Sequence, residues 1–88
     1  MNSMKKKFIS NVALESYIQV SLKQWFDQDY QAIRETYDSL PFLQAKIFIS
    51  ELARELKLFT ESIDYNRKEL ENVIKFKLGI EGDYHVIK

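Results

Sequence analysis

The chain has 88 residues, of which 45% are hydrophobic, 14% aromatic and 30% charged, and its formal net charge is zero. This length suits one domain with one modest core, and the composition argues against a chain that is disordered throughout. A net charge of zero lacks the basic footprint that is typical of nucleic-acid-binding domains.

The sequence contains no cysteine, which excludes a disulfide framework and a thiolate metal site. Small secreted domains usually have disulfides, so their absence favours the cytoplasm. The basic run Lys5, Lys6 and Lys7 is not followed by an apolar stretch of signal-peptide length. No segment approaches the roughly 20 apolar residues of a membrane span. We therefore predict a soluble cytoplasmic protein with no membrane partner.

Charge is unevenly distributed along the chain. Residues 11–64 contain nine acids and five bases, a net charge of −4, whereas both ends are more basic. We predict a flexible basic segment over residues 1–9, one helical domain over residues 10–80, and a tail or second hairpin strand over residues 81–88.

Apolar spacing predicts two helices before Pro41. Ser10 or Asn11 can cap the first, which runs to about Phe26 with a stripe at spacings of four, four and three: Leu14, Ile18, Leu22 and Trp25. An aspartate in the break at residues 27–29 can cap the second, whose stripe is Tyr30, Ile33, Tyr37 and Leu40. Short connections favour neighbouring, roughly antiparallel helices.

The third predicted helix, over residues 41–59, is apolar on more than one face. Six residues form a core-facing stripe about 100° wide: Ala45, Phe48, Ile49, Leu52, Leu56 and Phe59. Leu43, Ile47 and Leu58 lie on the opposite side. This pattern predicts a central helix that contacts several partners.

Residues after Phe59 permit two interpretations. Thr60 can cap a fourth helix at once, or Asn66 can cap it together with Glu69 in a reciprocal capping arrangement. A helix to Leu78 with a left-handed terminus at Gly79 is favoured. The alternative is a short β-hairpin over residues 76–87 with a turn at residues 81–83. The expected fold is thus an all-α, compact three- to four-helix bundle-like domain, with a C-terminal β-hairpin as an open alternative.

The sequence contains no convincing catalytic or metal site. The single histidine, His85, alternates with Glu81 and Asp83, a pattern that suits metal ligands only on an extended strand. Asp27 and Asp29 are better explained as helix-capping and turn residues. Two glycines cannot supply a phosphate-binding loop. We predict that the protein is not an enzyme and has no cofactor or metal.

Residues 49–63, ISELARELKLFTESI, resemble the core of a helix-turn-helix DNA-binding motif. Ala53 would be the small residue where two helices cross, residues 59–61 the turn, and residues 62–74 the recognition helix. A hairpin over residues 76–87 would stand where winged variants place their wing. Lys57 occupies the turn position that usually holds glycine. The resemblance implies a small, possibly winged, DNA-binding transcription regulator, with DNA contacts from Arg67, Lys68, Lys75 and Lys77.

Surplus apolar residues favour a protein-binding function instead. The candidate interface residues, which exceed what one stripe per helix needs, are Trp25, Phe26, Leu43, Ile47 and Leu58. We therefore predict a non-catalytic regulator or adaptor, of bacterial or phage type by composition. It would bind a partner protein or form a homodimer through an apolar helical face, and DNA binding is the alternative.

Overall fold

Four α-helices make up the described part of the chain: α1 (Asn11–Phe26), α2 (Tyr30–Ser39), α3 (Phe42–Phe59) and α4 (Arg67–Leu78). The computed structural model describes residues 6–59 and 66–80, and 81% of it is helical. The predicted all-α, bundle-like class is confirmed. None of these four helices combines the length and the apolar character that crossing a bilayer requires.

Side-chain caps fix where three of the helices begin. Ser10 Oγ accepts a hydrogen bond from the Ala13 N–H at 3.1 Å, and Asp29 Oδ1 accepts one from the Ala32 N–H at 3.4 Å. At α4 the predicted reciprocal arrangement is present. Asn66 Oδ1 accepts from the Glu69 N–H at 2.8 Å, and Glu69 Oε1 accepts from the Asn66 N–H at 3.0 Å. Each cap satisfies backbone donors that the first helical turn leaves unpaired.

The end of α4 decides between the two interpretations of residues 76–80. Gly79 adopts the left-handed conformation with φ 74°, and its N–H donates to the Phe76 carbonyl at 3.1 Å. The Ile80 N–H then donates to the Lys75 carbonyl at 2.9 Å. The helix to Leu78 is confirmed, because these bonds satisfy the carbonyls of its last turn. The alternative hairpin is wrong at residues 76–78, which are helical, and residues 81–87 of it lie outside the described residues.

Helix α3 lies at the centre of the bundle and contacts each of the other three helices. Seven of its residues are buried: Gln44, Ala45, Phe48, Ile49, Leu52, Ala53 and Leu56. Leu14, Ile18 and Leu22 of α1, Ile33 of α2, and Leu70, Ile74 and Leu78 of α4 complete most of the core. The prediction that α3 is the central helix is therefore confirmed.

Helices α1 and α3 run side by side in the same direction. At their N-terminal ends, the buried side chain of Gln44 donates from Nε2 to the Ile9 carbonyl at 2.9 Å and accepts from the Ile9 N–H at 3.0 Å. At their C-terminal ends, the rings of Phe26 and Phe59 are in contact. The Gln44 side chain thus satisfies both backbone hydrogen-bonding groups of Ile9 and holds Ile9 against the domain. Residues 6–8 stay exposed.

Arg34 ties α2 to the end of α4. Its Nη1 donates to the carbonyls of Leu78 and Gly79 at 3.0 and 3.1 Å, while its Nε donates to both carboxylate oxygens of Asp38 at 3.0 and 3.1 Å. A cation at a helix C-terminus interacts favourably with the helix dipole as well as with the unpaired carbonyls. These contacts fix the position of α4 on the bundle.

Candidate protein-binding surfaces

Two aromatic side chains flank an open groove between the C-terminal ends of α1 and α3. The ring centroids of Phe26 and Phe59 are 5.4 Å apart with a tilt of 44°. Phe26 is 46% exposed and Phe59 is 68% exposed. The groove has a volume of about 370 Å³ and is lined by Gln19, Leu22, Lys23, Phe26, Asp27 and Phe59. We call these six residues the aromatic groove.

The spacing of the α1 residues explains why the groove forms. Positions 19, 22, 23 and 26 recur at the three- and four-residue intervals of one helix face. Leu22 is buried at the base, while Lys23 and Asp27 form an ion pair of 3.3 Å at the edge. Phe59 closes the other side because it is the last residue of α3 and lies level with the end of α1. An apolar floor with a polar edge is typical of sites that take an apolar side chain.

A second apolar surface runs along the outer side of α3. Leu43 is 59% exposed, Ile47 is 47% exposed and Leu58 is 63% exposed. With Ser50, Glu51 and Arg54 between them, these residues occupy an arc of about 100° on the helix. We call the set Leu43, Ile47, Ser50, Glu51, Arg54 and Leu58 the outer stripe.

The structure places the five predicted interface residues in three environments. Phe26 belongs to the aromatic groove, and Leu43, Ile47 and Leu58 belong to the outer stripe. Trp25 is partly buried, packs on the core and meets the Tyr30 ring edge-on at a centroid distance of 5.1 Å. The indole therefore contributes to internal packing, and Trp25 belongs to neither surface.

Phe59 was missed as a surface residue. Its place in the stripe of Ala45, Phe48, Ile49, Leu52 and Leu56 predicts burial, yet it is among the most exposed large apolar side chains described. The stripe is buried where α1, α2 and α4 pack on α3, and Phe59 lies at the last position of that helix. The sequence carries one indication of this exposure, because Phe59 lies at a helix terminus beside a polar segment.

A network of charges crosses the middle of the outer stripe. Arg54 Nε contacts Glu51 at 2.9 Å, and Arg54 Nη2 contacts Glu55 at 3.3 Å. Arg67 reaches from α4 to Ser50 Oγ at 2.6 Å and to Glu51 at 3.4 Å. The hydrogen bond to Glu51 and the charge of Glu51 raise the pKa of Arg54, with burial opposing this and Glu55 adding a smaller increase. The guanidinium therefore stays charged at any physiological pH.

The four candidate DNA-binding residues do not share one face of α4. Lys68 and Lys75 are seven residues apart and lie together, whereas Arg67 is engaged with Ser50 and Glu51 of α3. The Lys77 Nζ lies over the Tyr30 ring, 5.6 Å from its centroid. The four basic side chains are therefore spread over several faces of α4 and do not form one basic surface.

The predicted recognition helix over residues 62–74 agrees with the structure from Arg67 onward and differs from it at Asn66, while residues 62–65 lie outside the described residues. Asn66 is extended, with φ −78° and ψ 174°, and its side chain caps α4, which begins at Arg67. The cap interrupts any helix that would run from residue 62 through Asn66. Ala53 is fully buried, as the motif requires. Residues 60–65, which hold most of the predicted turn, lie outside the described residues.

Carboxylates considered for chemistry have local structural roles where they are described. Asp29 caps α2, Asp27 pairs with Lys23, and Glu51 and Glu55 pair with Arg54. Within residues 6–59 and 66–80, no three side chains of metal-ligating type come together. Glu81, Asp83 and His85 lie outside the described residues.

Comparison of the chain with protein-family models, with curated proteins and with solved structures gives no significant match. The functional argument therefore depends on the two apolar surfaces and on the charges that surround them.

Proposed function

We propose that the protein is a non-catalytic regulator or adaptor that binds a partner protein at the aromatic groove. The observation that supports this proposal is the pair of exposed, touching rings, Phe26 and Phe59, beside an open volume of about 370 Å³. Aromatic side chains that contribute large areas at little entropic cost are enriched at the energetic centres of interfaces. We place this function in the cytoplasm, since the chain has no cysteine.

The groove favours an amphipathic helix with a large apolar anchor and basic flanking residues. Parallel helices α1 and α3 form its walls, a shape that suits recognition of a helix laid into a groove. Glu15 lies one turn before Gln19 on the α1 face that lines the groove, while Asp27 at the other end of the groove is paired with Lys23. The described stretch of residues 11–59 holds seven acids and five bases, so a basic partner is favoured electrostatically.

The exposed area of the Phe26 and Phe59 rings limits the free energy that a partner can gain by covering them. A fully buried aromatic side chain removes roughly 200 Å² from water, so covering the exposed fractions of Phe26 and Phe59 corresponds to about 6 kcal/mol of gross transfer free energy. Association and ordering costs consume much of this gain. Micromolar affinity for a single helix is the expected result.

Peptides selected from a display library of amphipathic helices should share an apolar anchor and flanking lysine or arginine. Phe59→Ser should weaken their binding at least tenfold, because it removes the more exposed ring of the groove. Phe76→Ser removes a ring of similar exposure from α4 and should leave affinity unchanged. Isothermal titration with a selected peptide measures both. Equal affinity for all three proteins would contradict the groove as the binding site.

We expect DNA binding to be weak. Arg67 is engaged with Glu51, and Lys77 lies on Tyr30, so few cations on α4 are placed to neutralise phosphates together. Labelled duplex DNA, including DNA from upstream of its own gene, should bind no tighter than about 10 µM at about 50 mM salt. Submicromolar, sequence-dependent binding that is lost in Lys68→Ala and Lys75→Ala would favour the transcription-regulator alternative.

A further inference from the structure

The negative charge of Glu15 makes the two ends of the aromatic groove different. Glu15 lies one turn before Gln19 on the groove face of α1 and accepts a hydrogen bond from Gln19 Nε2 at 3.5 Å. Asp27, at the other end of the groove, is paired with Lys23 at 3.3 Å. Within the described part of the chain, Glu15 forms no ion pair. One end of the groove therefore carries a carboxylate without a cation, and the other end carries an ion pair.

The cations of α3 are engaged with other acids. The pKa of Arg54 is raised mainly by the hydrogen bond and the charge of Glu51, with smaller increases from Glu55 and then from Glu15. Arg54 therefore lies close enough to Glu15 to interact with its charge, but its guanidinium contacts Glu51 at 2.9 Å and Glu55 at 3.3 Å. Since these carboxylates outnumber the guanidinium that they share, a basic side chain from a partner gains a carboxylate at Glu15.

The parallel helices α1 and α3 favour one direction for a helix that binds between them. Their C-terminal ends, which carry partial negative charge, both lie where the rings of Phe26 and Phe59 meet. A bound helix is favoured when its positive N-terminal end lies there, and its C-terminal half then points toward Glu15. A cation in that half also interacts favourably with the dipole of the bound helix itself.

We propose that Glu15 selects a partner helix in which a lysine or arginine follows the apolar anchor by about two turns. This inference rests on the proposed binding of a helix at the aromatic groove, and it assigns that helix its direction and its basic position. An anchor seated between Leu22 and Phe26 is centred about nine residues, or about 13 Å of helix, from Glu15. Two turns of the partner span about 11 Å, and the flexible lysine or arginine side chain closes the remaining distance.

A charge-reversal cycle tests this pairing. The two probes are a peptide that the wild type selects from the amphipathic-helix library and the same peptide with glutamate at its basic position. Glu15→Arg should bind the selected peptide about fivefold more weakly than the wild type does at about 50 mM salt, and should bind the reversed peptide more tightly than the wild type does. Glu35→Arg is the matched control, because Glu35 is exposed on α2 and also accepts a hydrogen bond from a glutamine four residues away, Gln31. It should leave both affinities within about twofold of the wild type, since exposed charges at a distance are screened.

Four results would overturn the proposal. Selected peptides whose basic residue precedes the anchor, or that carry none, would contradict the role of Glu15. Equal effects of Glu15→Arg and Glu35→Arg would mean that only the net charge of the protein matters. Tighter binding of a peptide of residues 1–9 of this chain, in which the lysines precede Phe8, would identify the chain's own N-terminal segment as the occupant. A solution mass that rises with concentration in the wild type but not in Phe59→Ser would identify a second copy.

The same titrations separate the charge assignment from the groove itself. If Phe59→Ser weakens binding of the selected peptide and Glu15→Arg does not, the groove is the binding site and the assignment of Glu15 is wrong. If Phe59→Ser has no effect, the proposed groove fails whatever Glu15→Arg does. Circular dichroism confirms that both arginine variants keep their helices, as expected for exposed positions.

Discussion

Replacing Phe48 by alanine is expected to lower the free energy of unfolding by about 3–5 kcal/mol. The Phe48 ring is completely buried near the middle of α3, the helix that packs on all three others. Truncation removes its apolar contacts and leaves a cavity that a small four-helix core cannot fully close. A domain of this size has only about 5–15 kcal/mol of total stability, so the variant should be partly unfolded near physiological temperature.

Phe76→Ala is the matched control for Phe48→Ala. The same atoms are removed, but Phe76 is 68% exposed on α4. We expect its cost to stay below about 1 kcal/mol, as for most surface substitutions. Urea denaturation followed by circular dichroism gives both values. A cost for Phe76→Ala as large as that of Phe48→Ala would contradict the assignment of the core.

The second large effect is expected at Leu52, where alanine should cost about 2–5 kcal/mol. Leu52 has no exposed surface and lies one turn after Phe48 on the same face of α3. Leu43→Ala makes the same chemical change on the same helix at a position that is 59% exposed. This variant should shift the urea midpoint little. Equal midpoints for the two variants would mean that the inner and outer faces of α3 are misassigned.

The sequence predicted the helices well because each boundary carries a local signal. Ser10, Asp29 and Asn66 supply cap oxygens within three residues of the donors they bind, and Gly79 supplies the left-handed terminus. Such signals act over a few residues, so they can be read without knowing the tertiary structure. The core face of α3 followed from apolar periodicity for the same reason.

Long-range contacts were not readable in the same way. The Gln44 pairing with the Ile9 backbone joins residues 35 positions apart, and a lone glutamine within an apolar helix carries no indication of its partner. Trp25 and Phe26 are adjacent, and only the packing of α2 and α3 shows that the first ring faces Tyr30 and the second faces Phe59. The sequence predicts that some apolar residues remain on the surface. Which residues form each surface depends on which helix faces are covered by the other helices.

The helix-turn-helix resemblance shows why a short pattern is ambiguous. Ala53 is fully buried as that motif expects, but a small buried residue suits any close approach of two helices. Asn66 decides against a continuous recognition helix, since its side chain and Glu69 satisfy each other's backbone donors and fix a new helix start. The capping signal was present in the sequence and was more specific than the apolar pattern.

The central claim is that the aromatic groove between α1 and α3 binds another protein chain, and the most direct test is the affinity of the wild type and of Phe59→Ser for a selected helical peptide. Isothermal titration with up to about 100 µM peptide spans the range in which a micromolar complex forms. The account predicts micromolar binding to the wild type, at least tenfold weaker binding to Phe59→Ser, and no change in Phe76→Ser. Equal affinity of the wild type and Phe59→Ser would contradict the account.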